Sequence, residues 1–76
     1  MTMRGTQTKI LRLLSRPRWF NELCRVIGGG RRGRREVMIV LMRLEDEGRV
    51  RSRMVYSHFE GPRWIREYYK SKKVGR

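Results

Sequence analysis

Residues 31–48 read Arg31-Arg32-Gly33-Arg34-Arg35-Glu36-Val37-Met38-Ile39-Val40-Leu41-Met42-Arg43-Leu44-Glu45-Asp46-Glu47-Gly48, and their spacing fits one amphipathic helix. Val37, Val40, Leu41 and Leu44 recur at i, i+3, i+4 and i+7, which gathers them into a single stripe facing a core. Arg35, Ile39 and Met42 then fall on the opposite side, with Met38 and Arg43 flanking. Four arginines stand at the amino end, where like charge opposes the helix macrodipole, and Glu45, Asp46 and Glu47 oppose it at the other end. This polarity disfavours the helix, so its explanation is sought outside the helix. Phosphates of a polyanion meeting the amino end would supply one.

Working towards the amino terminus, Gly28, Gly29 and Gly30 allow a sharp turn of any handedness, at the expense of a loose unbound state. Asn21 is the expected cap of a preceding helix whose buried face is Leu23, Val26 and Ile27, and Gly28 is placed to stop it. Helix, glycine turn and helix give the outline of a helix-turn-helix. Further back, Ile10, Leu11, Leu13 and Leu14 supply the stripe of a first helix capped by Thr6 or Thr8, after a flexible polar arm over 1–5. Pro17 pushes Arg16 out of helical geometry and ends it. Arg18, Trp19 and Phe20 favour a short extended segment against a sheet edge.

Beyond Gly48 the period changes to two. Val50, Ser52, Met54 and Tyr56 alternate with Arg51, Arg53, Val55 and Ser57, which is strand spacing. Gly61-Pro62 signals a turn, and Trp64 to Tyr69 reads as a second strand, so this region is a hairpin with its tip at His58, Phe59, Glu60 and Gly61. The basic tail from Lys70 to Arg76 is expected to fray, with 71–76 flexible. The expected fold class is α+β, three helices and a two-stranded hairpin in one domain spanning 1–76.

Seventy-six residues bury only a small core, so a partner or dimer contact would help to stabilise it. Twenty Lys and Arg oppose seven Asp and Glu, a formal net charge of +13, and such an excess repels itself in the compact state unless it meets a polyanion. Nucleic acid is the default partner. Arginine dominates the cations, and its planar fork binds a phosphate or a guanine edge bidentately. The single cysteine, Cys24, excludes an intramolecular disulfide and a multi-cysteine zinc site, and no metal or other cofactor is expected. No apolar run approaches a membrane span and the amino terminus lacks the apolar centre of a signal peptide, so a cytoplasmic, nucleoid-associated location is expected.

Several motifs resemble named families. Trp19-Phe20-Asn21-Glu22-Leu23 resembles the Arg-Phe-Asn-Glu-Leu that opens the second helix of HxlR-type regulators. Arg43-Leu44-Glu45-Asp46-Glu47-Gly48-Arg49-Val50 is similar to the Arg-Leu-Glu-Glu-Glu-Gly-Leu-Val that leaves the recognition helix of PadR-type and related MarR-like regulators. Gly61-Pro62-Arg63 followed by Tyr68-Tyr69 is similar to the Pro-Pro-Arg and Tyr-Tyr of their second wing strand. Arg49 stands where those families have an apolar residue, and two extra residues separate Arg63 from the tyrosines. The resemblance covers about residues 8–70 and implies a winged helix-turn-helix that binds double-stranded DNA and regulates transcription. No counterpart of the families' carboxyl-terminal dimerisation helix is present. A homodimer would therefore meet through the first helix, the amino-terminal arm or the tail.

That resemblance implies that Arg34, Arg35, Met38, Ile39 and Met42 enter the major groove. Arg35 is the first choice for a base edge, while Arg31, Arg32 and Arg34 hold phosphates. A plain solvated loop is the dull alternative for this cluster. Met38, Ile39 and Met42 would touch thymine methyls, or pack under the wing or against a neighbouring subunit or partner. On the wing, His58 and Arg63 would reach the minor groove or its phosphates, and Arg51 and Arg53 would line a strand face towards the backbone. Phe59 is expected to fold back on Trp64. Trp19, Trp64, Tyr56, Tyr68 and Tyr69 are expected to be structural, with base stacking in a single-strand or structured-RNA binder as the rival reading. Cys24 reads as a small hydrophobe, with a reactive thiol beside Arg25 as the alternative. No catalytic constellation, metal site or small-molecule site is evident, and the chain reads as a non-enzyme.

Overall fold

The computed structural model describes residues 3–58 and 61–71, the Met3 side chain excepted. It is an α+β fold of three helices and a three-stranded antiparallel sheet, in the order α1 (Met3–Leu13), β1 (Arg18–Trp19), α2 (Phe20–Ile27), α3 (Gly30–Asp46), β2 (Val50–Ser57) and β3 (Arg63–Lys70). The sheet order is β1-β3-β2, so the expected two-stranded hairpin has a third strand on its flank. Arg18 pairs with Tyr68 and Trp19 with Glu67, which gives the short extended segment a sheet partner that its length alone cannot supply.

The stripe on α3 forms the centre of the core. Val37, Val40, Leu41 and Leu44 are buried together with Ile10 and Leu14 of α1, Leu23 of α2 and Val50 of β2. Phe20, Cys24, Ile27 and Tyr68 close around them, half-buried. Val26 is a correction, for it is exposed, because the short α2 turns only one narrow face inwards.

The helix starts also differ from expectation. Helix α1 begins at Met3, so Met3 to Gly5 are helical rather than a loose arm, and Thr6 and Thr8 lie inside the helix rather than capping it. Thr6 is fully buried and its hydroxyl donates to the Glu36 carboxylate of α3, a tie that makes the residue more useful within the helix than at its end. Helix α2 begins one residue before Asn21, and its start is closed by Glu22, whose carboxylate accepts the Trp19 N–H at 3.0 Å. A glutamate three residues into a helix has this reach, and no small polar cap is then needed. At the other end of α1, Arg18 Nε donates to the Leu13 carbonyl at 2.9 Å, satisfying an orphan acceptor where a cation is also favoured.

The glycine turn between α2 and α3 is tightly built. Gly28, Gly29 and Gly30 all have positive φ, at 76°, 85° and 59°, which ordinary residues adopt only with strain. Gly28 stops α2 by donating its N–H to the Cys24 carbonyl at 2.9 Å. Gly33, one turn into α3, is buried against it: a Cβ there would lie 1.7 Å from the Gly28 carbonyl oxygen. The chain therefore needs four glycines here, three for backbone geometry and one for contact. At the far end of α3 the N–H groups of Gly48 and Arg49 donate to the carbonyls of Glu45 and Leu44, both at 2.9 Å, and turn the chain into β2.

Strands β2 and β3 pair from Val50 with Lys70 to Ser57 with Arg63, so Lys70 belongs to the sheet and not to the tail. Alternation sends Val50, Ser52, Met54, Tyr56, Trp64, Arg66, Tyr68 and Lys70 to one face, which meets α3 at its base. Arg51, Arg53, Val55, Ser57, Arg63, Ile65, Glu67 and Tyr69 take the other face. The expected contact of Phe59 with Trp64, the rest of the arm (Met1 and Thr2) and the tail over 72–76 lie outside the described residues. Among the described residues, no helix is long and apolar enough to cross a membrane.

Candidate nucleic-acid interface

Helix α3 presents its outer face to solvent over nearly its whole length. Arg31, Arg35, Met38, Ile39 and Met42 share that face by helical spacing, and Arg31 and Met42 stand about 16 Å apart along the axis at 1.5 Å per residue. Met38 is 51% exposed, Ile39 37% and Met42 62%, so none of them packs under the hairpin. The four arginines Arg31, Arg32, Arg34 and Arg35 surround an open depression of about 520 Å³ at the amino end of the helix.

The arginines are not equivalent. Arg34 reaches back across the glycine turn, its guanidinium 5.1 Å from the centre of the Phe20 ring and its Nη1 donating to Asn21 Oδ1 at 3.4 Å. It is thereby held at the start of α2 with its outer edge exposed. Arg31, Arg32 and Arg35 make no ion pair among the described residues and project from the helix. Five of the carboxylates are engaged elsewhere: Glu22 with Trp19 and Arg18, Glu36 with Thr6, Glu45 with Ser52, Glu47 with Arg49, and Glu67 with Arg53. None of these five acids is spent on Arg31, Arg32 or Arg35, and the amino end of α3 stays positive.

The hairpin is coupled to α3 by a polar relay. Arg66 Nη1 donates to Ser52 Oγ at 2.9 Å, and Ser52 Oγ donates to Glu45 Oε2 at 2.8 Å. The relay answers the acidic carboxyl end of α3, because Glu45 serves as the anchor of the sheet. Tyr68 packs just beside it; burial, then the Glu45 charge, push its phenol above the ordinary value. Towards the tip, Tyr56 packs edge-on against both Trp64 and His58, with ring centres 5.3 and 5.1 Å apart. His58 is thus set on an aromatic support at the start of the tip, and Arg63 is exposed where the chain returns.

Arg51 and Arg53 do not join this surface. They point from the opposite side of the sheet, where Arg53 pairs with Glu67 at 2.9 Å and lies 5.0 Å above the Tyr69 ring. They line one strand face together, and it is the face turned away from α3. Arg66 is the wing arginine on the α3 side, and the signal for it was its even spacing from Trp64 and Tyr68. Arg16, Tyr69 and Lys70 were also missed as companions of Arg51, since only the pairing of β1 with β3 brings Pro17 beside Tyr69.

Cys24 touches the core from α2. Burial raises its thiol pKa and the Arg34 guanidinium opposes that rise. A raised pKa disfavours the thiolate, so the environment argues for a packing role rather than a reactive one. Among the described residues no cluster of three His, Cys, Asp or Glu could hold a metal ion.

The chain matches no protein-family model, no curated protein and no solved structure.

Proposed function

We propose that this chain is a winged helix-turn-helix protein that binds double-stranded DNA, with α3 in the major groove and the hairpin laid along the flanking backbone. The observation that supports this most is the outer face of α3, where unneutralised arginines at the amino end run into an exposed Met38, Ile39 and Met42 stripe. The major groove is about 12 Å wide and admits one helix, with cations on its phosphates and apolar groups against thymine methyls. Arg35 reads a base edge, while Arg31, Arg32 and Arg34 neutralise phosphates and set register. The support of Arg34 by Phe20 and Asn21 suits a positioning role. His58 and Arg63 at the tip, joined by Arg66, meet the adjacent backbone or minor groove.

The protein is a cytoplasmic, nucleoid-located transcriptional regulator and not an enzyme. Two copies on a pseudo-palindrome, with half-sites about one helical turn apart, give so small a reader its specificity. The same methionine and isoleucine stripe would serve a protein partner in an interaction module, and that rival predicts binding indifferent to the arginines.

Binding to a random duplex pool, titrated with salt and set beside single-stranded RNA, tests the reading with wild type and Arg34→Ala/Arg35→Ala. An enriched duplex motif that disappears in the double variant is the expected result. Tight binding without enrichment replaces the regulator by a non-specific nucleoid binder, and preference for RNA overturns the assignment.

A further inference from the structure

We propose that the cavity between the α1–β1 turn and the outer face of the sheet binds a nucleoside phosphate, either a free nucleotide or an unpaired residue of a strand. The cavity has a volume of about 860 Å³ and is lined by Arg16, Pro17, Arg51, Arg53, Tyr69 and Lys70, among others. That volume lies within the roughly 300–1,000 Å³ of small-ligand sites. Four cations border it, and among the described residues no carboxylate does. Glu67, the nearest acid by register, is already bound by Arg53 at 2.9 Å.

The chemistry divides in two. Arg16 and Arg51 are exposed at the opening, with Lys70 at the end of β3 bordering it, and like charges brought to one concavity repel each other until an anion enters. Tyr69 and Pro17 form the apolar side, and the Arg53 guanidinium already lies 5.0 Å over the Tyr69 ring. A planar base extends such a stack, with its phosphate left at the rim among the cations. A duplex offers only phosphates to a recess of this kind, because its bases are paired and stacked inside. The site is separate from the α3 surface, since Arg51 and Ser52 take opposite faces of the sheet and Ser52 is the residue joined to α3. It does not depend on the duplex reading being right.

The test is fluorescence anisotropy of a labelled oligothymidylate at fixed low salt, with AMP, an abasic strand of equal length and a hairpin duplex as competitors. Wild type is compared with Arg16→Ala/Arg51→Ala, Tyr69→Leu, Tyr69→Phe and Arg34→Ala/Arg35→Ala, each checked for native circular dichroism. The expected result is a loss of about tenfold or more in the first two variants, retention in Tyr69→Phe, and a clearly smaller loss in the α3 variant. Competition by AMP identifies a free nucleotide as the ligand, and competition by strands alone identifies an unpaired strand. The proposal is overturned if the abasic strand binds as tightly as the full one, if only the α3 variant weakens binding, or if wild type does not bind. A failure of the duplex reading shows instead as duplex binding indifferent to Arg34 and Arg35, which leaves these strand results unaffected.

Discussion

A methyl group added at Gly33 would meet the Gly28 carbonyl oxygen at 1.7 Å, and backbone on both sides leaves neither partner able to yield cheaply. Gly33→Ala is therefore expected to destabilise at or above the top of the ~1–3 kcal/mol range for overpacking, read as a fall in urea midpoint at unchanged m-value. A second residue-scale test concerns Thr6, fully buried and donating to Glu36. Valine fills the same space without the hydroxyl and removes a donor from a part-buried carboxylate. Thr6→Val is expected to lose about 1–3 kcal/mol, whereas Thr8→Val, at an exposed position on the same helix, changes stability little. If both variants unfold alike, the bond between α1 and α3 has no special weight.

At the scale of elements, α3 and the hairpin make separable contributions to binding. Each phosphate neutralised by α3 steepens the dependence of log affinity on log salt by about 0.9. Removing Arg31 and Arg32 together should flatten the duplex slope by about two such steps, while Arg51→Ala/Arg53→Ala leaves it nearly unchanged, as filter binding across a salt series will show. Equal effects from the two pairs would place both faces of the sheet against the duplex. The buried stripe of α3 and the hairpin pairing were legible in the sequence because both rest on strict local periods, 3.6 and 2. The third strand was only half legible: two residues carry no period, and their place is set by Tyr68 and Glu67 some fifty positions away. Helix starts were misjudged for a related reason. Threonine and asparagine are good caps locally, but Thr6 is drawn inward by Glu36 and Asn21 is displaced by the reach of Glu22, both contacts of side chains with groups outside the expected pattern. In the site, the arginines at the head of α3 could be listed by composition, yet the split between Arg34, tethered to Phe20, and its projecting neighbours is a property of packing.

For the whole molecule, proton binding and charge set the conditions under which it is stable. Burial lifts the Tyr68 phenol above its ordinary 10.0 and the Cys24 thiol above its ordinary 9.0. The folded state then holds both protons more tightly than the unfolded chain. Stability from these groups is complete below their unfolded values and declines as pH rises through the folded ones. Thermal unfolding followed by circular dichroism should show a melting temperature falling in the alkaline range above about pH 9, with Cys24→Ala removing the earlier part of the fall. A melting temperature that fell instead on mild acidification would contradict this assignment. The +13 excess acts in the same direction at all neutral pH values, so added salt or duplex should raise the melting temperature.

Strand β2 is an outer strand of the sheet, and nothing among the described residues pairs with its far side. An open row of N–H and C=O groups is a template on which another chain can add, and the first step towards fibrils in many small sheets. Here the strand carries Arg51 and Arg53, both exposed, so an incoming copy brings the same two cations to the same line. Charge that gathers nucleic acid on one side thus protects the chain from itself on the other, and a concentrated preparation should stay clear of fibrils until polyanions or high salt mask those arginines.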